Sequence, residues 1–474
     1  MNFSNFTIES NITLHENSSL FVDLNYSDTL WLMISTALVF MMLPGLGFYY
    51  SGYIQRTSTL TIFMSILVPF SCVTIQWFLI GYSLVFSDTG SQIIGNFKYA
   101  FLTSIGDVPS KILSLVPSNV FMIYQGLFAG LTPCLFYGAI AERGTISAFI
   151  LISVLWTTLV YDFIAYWTWN PNGWLNNMGV LDFAGGGPVH VASGFAALAY
   201  ALVVGQRKNV NFKQIKPINL TEIFLGTCLL WVGWLGFNGG SEGAINSRAI
   251  NAAVVTNYAA ASGGLSWILI EMIFHKTWSL SLNAFCTGAL ASLVSITPAC
   301  GYVRPLYAIV IGLLTTPVCF LATFFKKATR YKFDDAVDVF AVHGCGGIIG
   351  SLLTGIFAEK SVIEMVNKNG HVKGGFLDGN YYQIIYQLVG ICLAAIWSFF
   401  ITLTLVKLVD VLPFLSLRLD EESEKIGSDF AELGEVAYGI ELDDLNANKL
   451  VYSKKSKTNE AFETETKVSE SSKS

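Results

Sequence analysis

The stretch Asp182-Phe-Ala-Gly-Gly-Gly-Pro-Val-His190 opens one apolar segment of the chain, and Asp338-Val-Phe-Ala-Val-His343 opens another. Each contains a single histidine among apolar and small residues, with an aspartate shortly before it. Ionisable side chains are costly in hydrocarbon, and where they occur they usually face a pathway or the interior of a helix bundle. We therefore interpret His190 and His343 as a matched functional pair in two related segments.

The composition indicates a polytopic membrane protein. Hydrophobic residues make up 53% of the 474 residues and charged residues 13%, about half the charged fraction of a soluble protein. The net charge of -6 arises because acidic residues are concentrated near the C-terminus, so it does not indicate a nucleic-acid partner. The eight cysteines form no CxxC pair, and we predict no metal site, cofactor or disulfide framework. No cleavable signal peptide is evident.

Apolar segments of membrane-spanning length occur throughout the chain. A spanning helix needs roughly 20 mostly apolar residues, and eleven such segments can be drawn. We predict an all-α integral membrane protein, in which an odd number of spans places the termini on opposite sides. The segments lie near 31–50, 60–86, 119–140, 145–167, 181–204, 221–240, 250–273, 281–299, 305–325, 338–357 and 382–409.

Sequons and basic residues predict the orientation. Residues 1–30 contain five Asn-x-Ser/Thr sequons, which predict an extracellular, glycosylated N-terminal tail; the alternative is a merely polar tail. If the N-terminus is outside, eleven of the main basic loop residues lie on the inner side and seven on the outer side. This distribution agrees with the positive-inside rule. The sequons are at Asn2, Asn5, Asn11, Asn17 and Asn25.

Two internal similarities suggest a repeat. Leu46-Gly-Phe48 at the end of segment 1 matches Leu235-Gly-Phe237 at the end of segment 6, and segments 5 and 10 carry the two Asp/His stretches. Because five is odd, two five-segment copies must have opposite topology, which is the inverted-repeat plan of many transporters. Segment 11 is then an extra helix. The alternative is chance similarity among glycine-rich membrane helices.

The histidines allow several interpretations. Two histidines without nearby Cys or Glu make a poor metal site, and a lone buried histidine is often only a core residue. A symmetric pair favours function, because neutral imidazoles can share one proton. Such a pair suits a proton or a small neutral polar molecule better than a bare cation. Asp182 and Asp338 are predicted N-caps of their helices, with Asp182 at the outer side and Asp338 at the inner side.

Aromatic residues form the third group of interest. Tryptophans near a membrane interface are normally belt anchors, an interpretation that we keep for Trp174. Aromatic rings near a carboxylate and a serine can also form a cation-π cage. The residues concerned are Trp167, Trp169, Trp174, Phe128, Trp234 and Phe237.

At these residues the chain resembles the ammonium transporter family (Amt/Mep/Rh) over roughly positions 40–440. The Trp167-Thr-Trp169-Asn-Pro-Asn-Gly-Trp174 stretch is most similar to the Mep branch of lower eukaryotes. Besides the two Asp/His stretches, the matching motifs are Tyr124-Gln-Gly-Leu-Phe128, Gly138-Ala-Ile-Ala-Glu142-Arg143, Gly205-Gln-Arg207, Gly233-Trp234-Leu-Gly-Phe237-Asn-Gly-Gly-Ser241 and Asp334-Asp335.

The resemblance implies an outer site and a gate. Trp169, rather than Trp167, would bind ammonium together with Phe128 and Ser241, and Asp182 would support this recruitment site. Phe128 and Phe237 would stack below the site as a gate.

The resemblance also implies a pore and an assembly. His190 and His343 would line a dry pore, with Trp234 beside them. Each subunit would hold its own pore, and three subunits would form a homotrimer in the lipid bilayer.

The segment after the last apolar helix resembles the regulatory tail of the family. Leu433 stands where the family usually has a histidine, which puts one docking contact in question. We predict three regions: an N-terminal tail over 1–30, a transporter domain over 31–409 and a cytosolic regulatory tail over 410–474, disordered at its extreme end. The matching residues are Leu417-Arg418, Glu421-Glu422, Gly427-Ser-Asp429, Gly434-Glu435 and Tyr438.

These observations predict ammonium transport across the plasma membrane, or an endomembrane, by a protein that is not an enzyme. Ammonium would lose a proton at the outer site, and ammonia would cross the twin-histidine pore. Two alternatives stay open: a channel for the intact cation, and an ammonium sensor that signals through its tail. A third, a histidine-dependent membrane enzyme, is disfavoured. The last needs more clustered histidines than the five in this chain.

Overall fold

Apolar helices joined by short connections make up most of the structure. The computed structural model describes residues 24–208, 210, 216–329, 333–366 and 373–438, and within these ranges the regular secondary structure is helical, without β-strands. We number the apolar helices α1 (Tyr26–Ser51), α2 (Arg56–Phe86), α3 (Ser118–Ile140), α4 (Ile146–Met178), α5 (Gly186–Val204), α6 (Leu220–Gly240), α7 (Ser247–His275), α8 (Leu282–Ile296), α9 (Pro305–Thr323), α10 (Phe340–Phe357) and α11 (Gln383–Asp410).

The all-α prediction is confirmed for the described residues, and each predicted segment coincides with one of these helices. Ten of them are long and apolar enough to cross a membrane. The remaining helix, α8, has 15 residues, or about 22 Å at 1.5 Å per residue, which is shorter than a hydrocarbon core of about 30 Å. Length and composition alone therefore support ten crossings. All residues from Cys286 to Ile296 are buried, so α8 lies inside the bundle.

Helix α1 begins earlier than the predicted position 31 because a polar residue caps it. The side-chain oxygen of Asn25 accepts hydrogen bonds from the N–H groups of Ser27 (2.9 Å) and Asp28 (3.2 Å). These bonds satisfy two of the N–H groups that a helix start leaves without partners. Asn25 is the one predicted sequon asparagine within the described residues, and Asn2, Asn5, Asn11 and Asn17 lie outside them.

Hydrogen bonds between connections define two faces of the bundle. On the first, which we call the vestibule face, Ile245 N–H before α7 donates to Asp28 at the start of α1 (2.9 Å). On the second, the tail face, Gln55 N–H after α1 donates to Glu142 after α3 (2.6 Å). Arg207 after α5 binds the same carboxylate (2.6 Å). Helices α1, α3 and α5 therefore all end at the tail face.

Helices five positions apart run in opposite directions. Whereas α1 ends at the tail face, α6 begins there, since Ile218 N–H donates to Gly52 O (2.8 Å). Whereas α5 ends at the tail face, α10 begins there, close to Asp334, which pairs with Arg207 (2.9 Å). Opposite directions of corresponding helices are what an inverted repeat produces.

A buried ionic cluster joins the connections at the tail face. Arg207 binds both Glu142 and Asp334, and all three side chains are at most 7% exposed. Burial by itself would raise the pKa of Asp334, but the guanidinium of Arg207 holds it below its usual value. Arg143 donates to three backbone carbonyl oxygens, of Ala141, Gly205 and Asp334. This cluster fixes the ends of α3 and α5 relative to the start of α10.

The chain after α11 lies against the tail face. A short helix, Glu421–Ile426, is followed by a π-helical turn, Asp429–Leu433. Asp429 accepts hydrogen bonds from the N–H (2.7 Å) and hydroxyl (2.8 Å) of Thr61 in α2. The tail thus contacts the start of α2 directly. Its predicted disordered end falls outside the described residues, which stop at Tyr438.

Candidate functional site

Asp182 shapes the start of α5, as the sequence predicts for an N-cap residue. Its carboxylate accepts hydrogen bonds from the N–H groups of Gly185 (2.8 Å), Gly186 (2.7 Å) and Gly187 (2.7 Å). Gly185 has φ +119°, a left-handed conformation that glycine adopts without a steric cost. The helix consequently begins at Gly186 rather than at the predicted position 181.

The predicted N-cap role of Asp338 is wrong. Phe340, the first residue of α10, donates its N–H to Asp335 Oδ2 at 2.7 Å, so Asp335 caps this helix. Asp338 has φ +60° and pairs with Lys326 at 2.8 Å. This left-handed turn directs the Asp338 carboxylate towards the end of α9 instead of the start of α10.

Helices α5 and α10 bring the two histidines together. His190 Nδ1 and His343 Nδ1 are 3.2 Å apart, and the two rings are tilted by 33°. Both side chains are buried, with exposures of 1% and 8%. One imidazole must donate and the other accept across this contact. His190 Nε2 has no hydrogen-bond partner among the described residues, so it is available to a small polar molecule.

The histidines meet because the two helices touch through glycine backbones. A Cβ atom added to Gly194 would lie 2.2 Å from the backbone N of Gly344, far inside any allowed contact. The chain around each histidine is π-helical, over Gly186–Val191 and Phe340–Cys345. π-Helical turns are rare in proteins overall, but those that occur often lie at functional sites.

A narrow cavity contains both imidazoles. Its volume of about 20 Å³ is enough for about one water-sized molecule. Trp234 stacks on His190 with ring centroids 5.5 Å apart, and Thr297 Oγ1 accepts a hydrogen bond from its indole N–H (2.8 Å). Other lining residues are Met42, Leu46, Tyr49, Tyr50, Leu131, Leu135, Val189, Leu230, Phe237, Leu290, Val337, Val339 and Val342.

Two stacked phenylalanines close this cavity on the vestibule side. The rings of Phe128 and Phe237 are 4.1 Å apart at 29°, and both side chains are 1% exposed. Phe237 also lies 6.2 Å from the ring of His190. Tyr124 donates its hydroxyl to Phe237 O at 2.8 Å, which holds α3 and α6 together here. The residues predicted as a gate and as a pore are therefore consecutive in space.

The predicted recruitment residues line the space above the stacked rings. Trp169 meets Phe128 edge to face at 6.4 Å and donates its indole N–H to Asp182 O (3.1 Å). Ser241 Oγ lies 3.3 Å from the hydroxyl of Tyr124. Trp169, Phe128 and Ser241 line one cavity of about 150 Å³. A wider cavity of about 640 Å³ contains Trp169, Ser241 and Asp182.

Trp167 and Trp169 point in different directions. Trp167 donates its indole N–H to Ile93 O (2.6 Å) and packs against Trp174 and Trp397. It does not line the cavities that contain Trp169. The structure therefore places Trp169, and not Trp167, beside Phe128.

The tail residues singled out in the sequence lie together at the tail face. Gly427 has φ +110°, and a Cβ there would lie 2.3 Å from Thr57 Cβ. Gly434 has φ +69°. Tyr438 hydrogen-bonds Glu222 at the start of α6, and Arg56 lies 5.5 Å over its ring. The tail thus meets the starts of both α2 and α6.

Sequence reasoning missed several residues of the site. Thr297, which holds Trp234, stands in a stretch without a distinctive pattern. Asp335 belongs to the Asp334-Asp335 motif, but the sequence did not reveal that it caps α10. Glu242 and Arg248 line the wider vestibule cavity, and the position of Glu242 directly after Ser241 was an available signal. Across the described ranges, no group of three or more His, Cys, Asp or Glu residues is arranged to hold a metal ion.

The bundle and its enclosed passage define a multi-pass helical membrane protein of the class that includes channels and transporters. The model of the family described as Ammonium Transporter Family matches residues 30–438. The chain therefore belongs to this family.

Individual relatives agree with this assignment. Ammonium transporter 1 of Schizosaccharomyces pombe is 44% identical over 87% of this chain and 82% of its own length. Ammonium transporter MEP2 of Saccharomyces cerevisiae is 39% identical over 89% and 86%. The crystal structure of Candida albicans Mep2 superposes with a TM-score of 0.80 at 40% identity, covering 88% of this chain and 91% of that one.

Proposed function

We propose that the protein transports ammonium across the plasma membrane by binding NH4+ in the vestibule, removing one proton and passing NH3 between His190 and His343. The observation that carries this proposal is the narrow, mostly apolar cavity around two imidazoles 3.2 Å apart. It accommodates one small neutral molecule, and the imidazole nitrogens offer it hydrogen bonds. Transport, rather than catalysis, is what the names of the relatives describe.

Recruitment is assigned to the vestibule aromatics. Trp169 and Phe128 would hold the cation by cation-π attraction, and Ser241 Oγ would accept one N–H. Asp182 supports the site indirectly, because its oxygens accept three backbone N–H groups and shape the start of α5. The stacked rings of Phe128 and Phe237 would part to admit the substrate.

Energetics favour deprotonation over passage of the intact cation. A desolvated cation-π contact contributes up to about 2 kcal/mol, whereas a charge in the hydrocarbon centre costs between roughly 3 and 17 kcal/mol. Ammonium can avoid this cost by losing H+ and crossing as neutral NH3, whereas potassium has no proton to lose. A channel for the intact cation would need rings of carbonyl or acidic groups, which the cavity lining does not contain.

The released proton has two routes, back to vestibule water or through the histidine pair. Simultaneous measurement of current and ammonium uptake in cells without their own ammonium transporters separates them. Current proportional to uptake means that the proton follows NH3, and uptake without current means that it does not. Potassium current of similar size to ammonium current would contradict the proposal.

We further propose eleven crossings, with α8 completing two inverted five-helix repeats and α11 outside them. The N-terminus would be extracellular and glycosylated over 1–30, the transporter domain would cover 31–409, and the cytosolic tail would cover 410–474. Glycosidase should then shift the mobility of the wild type but not of a variant lacking the N-terminal sequons. Glycan at Asn219, which caps α6 at the tail face, would reverse this orientation.

A sensor function is the second candidate. A solved structure named "Sensor Amt Protein" superposes with a TM-score of 0.77 at 31% identity over 86% of this chain. The described tail contacts α2 and α6, so a change in the pore helices could reach the cytosolic end. A variant that binds ammonium but does not transport it, while a cellular ammonium response persists, would favour the sensor.

A further inference from the structure

An ion pair in the vestibule has no part in the function proposed so far. Glu242 accepts a hydrogen bond from Arg248 Nε at 2.6 Å and another from Asn246 Nδ2 at 3.0 Å. The side chain of Glu242 is 4% exposed and that of Arg248 is 22% exposed. Both residues line the same cavity as Trp169 and Ser241.

The position of Arg248 is electrostatically unfavourable in two respects. It lies in the first turn of α7, where the positive end of the helix dipole disfavours a cation. It also faces a cavity through which a positively charged substrate is proposed to arrive. A carboxylate beside it offsets both effects.

Among the described residues, the carboxylates that line this cavity are those of Asp182 and Glu242, and the basic side chains are those of Arg248 and Lys373. The formal charges of these four side chains sum to zero. Removing the charge of Glu242 would leave this described lining with a net positive charge. A cation transporter would then repel its substrate at the mouth.

The ion pair also positions the guanidinium on an aromatic wall. Arg248 Cζ lies 5.6 Å over the ring of Phe183. Phe183 lines both the wide cavity and the narrower one that contains Phe128 and Trp169. The Arg248 charge is therefore held beside the route between the two cavities.

We propose that Glu242 is a positioning residue for ammonium recruitment: it neutralises Arg248 and holds it against Phe183, so that the vestibule attracts cations. This inference rests on the proposed function. For charges roughly 10 Å apart, Coulomb's law predicts that an unpaired Arg248 weakens cation binding by about 2-fold in a water-like dielectric and about 15-fold at a protein-surface dielectric. Entry would be affected, but the pore below would not.

The test uses the purified full chain in proteoliposomes, with initial rates of ammonium uptake measured at low and high ionic strength. We expect Glu242→Gln to raise the apparent KM by about 2- to 15-fold at low ionic strength, with little change in the maximal rate. Salt should reduce this difference because it screens the partly exposed Arg248. The double variant Glu242→Gln/Arg248→Gln should return the KM to near the wild-type value.

Each other outcome argues against the proposal. An unchanged KM for Glu242→Gln at low ionic strength would overturn it, as would a double variant as impaired as the single one. If Glu242→Gln does not fold, Arg248→Gln decides: the proposal requires a KM at or below the wild-type value, and a higher KM would contradict it. Absence of ammonium uptake by the wild type would instead refute the proposed function.

Discussion

At the residue scale, His190 and His343 face each other inside a mostly apolar cavity. His190→Ala or His343→Ala should abolish ammonium transport or raise potassium permeation, because either change removes the shared hydrogen bond and leaves the other imidazole without this partner. Uptake, current and surface expression are measured together. His275→Ala, an exposed histidine at the end of α7, is the matched control and should behave as the wild type.

Normal, selective uptake by both pore variants would reduce the pair to a structural contact. Loss of surface expression in both would leave transport to be measured on purified protein in proteoliposomes, where the same expectation applies.

A second residue-scale prediction concerns Asp335, the cap of α10. Burial, and then the negative charge of Asp338, raise the pKa of Asp335 to about 6 although Lys326 opposes this, whereas an unfolded Asp titrates near 3.9. Because the pKa of Asp335 is higher in the folded than in the unfolded protein, its contribution to the free energy of unfolding is complete below about pH 4. This contribution is lost as the pH rises through 6. The melting temperature of the purified wild type should therefore fall across this window relative to that of Asp335→Asn. Parallel curves for the two proteins would contradict this expectation.

At the element scale, Asp429 connects the tail directly to α2, so its substitution should loosen this part of the tail. Asp429→Ala removes the acceptor of two hydrogen bonds from Thr61 and leaves a buried N–H without this partner, which typically costs about 1–3 kcal/mol. We expect faster proteolysis of the tail while the bundle stays intact. Glu421→Ala is the control, because the Glu421 side chain is 71% exposed and exposed pairs contribute little. Equal cleavage rates for the two variants would show that Asp429 does not anchor the tail.

Backbone conformation makes the tail glycines sensitive in different ways. Gly434 has a φ of +69°, a left-handed angle that glycine adopts readily and that larger residues adopt only with strain. Gly427 is constrained more strongly, because a Cβ atom there would also overlap Thr57.

At the scale of the whole molecule, the proposed homotrimer would place three pores side by side, and the tail could couple them if its contacts differ between open and closed states. Gly434→Asp in one subunit should then lower the flux through wild-type partners in the same trimer. Flux is measured in linked trimers with zero to three variant subunits. Flux that decreases linearly with the number of variant subunits would show that the pores act independently.

The hydropathy of the sequence by itself determined the helical class, the positions of the apolar helices and the pairing of two Asp/His stretches. Hydrocarbon demands a certain length of apolar chain and penalises each ionisable group, and both properties are local. Asp182 was also readable as a cap, because a cap binds N–H groups only a few residues away.

Only the tertiary structure decided which side chains meet. Trp167 and Trp169 are both tryptophans and lie two positions apart. The directions of their side chains depend on contacts with Phe128, Ile93 and Trp397, which lie far away in the chain. Asp335, and not the predicted Asp338, caps α10, because the backbone at Asp338 is left-handed. Such directions result from contacts between distant helices, since packing fixes side-chain orientation only after the whole bundle has assembled.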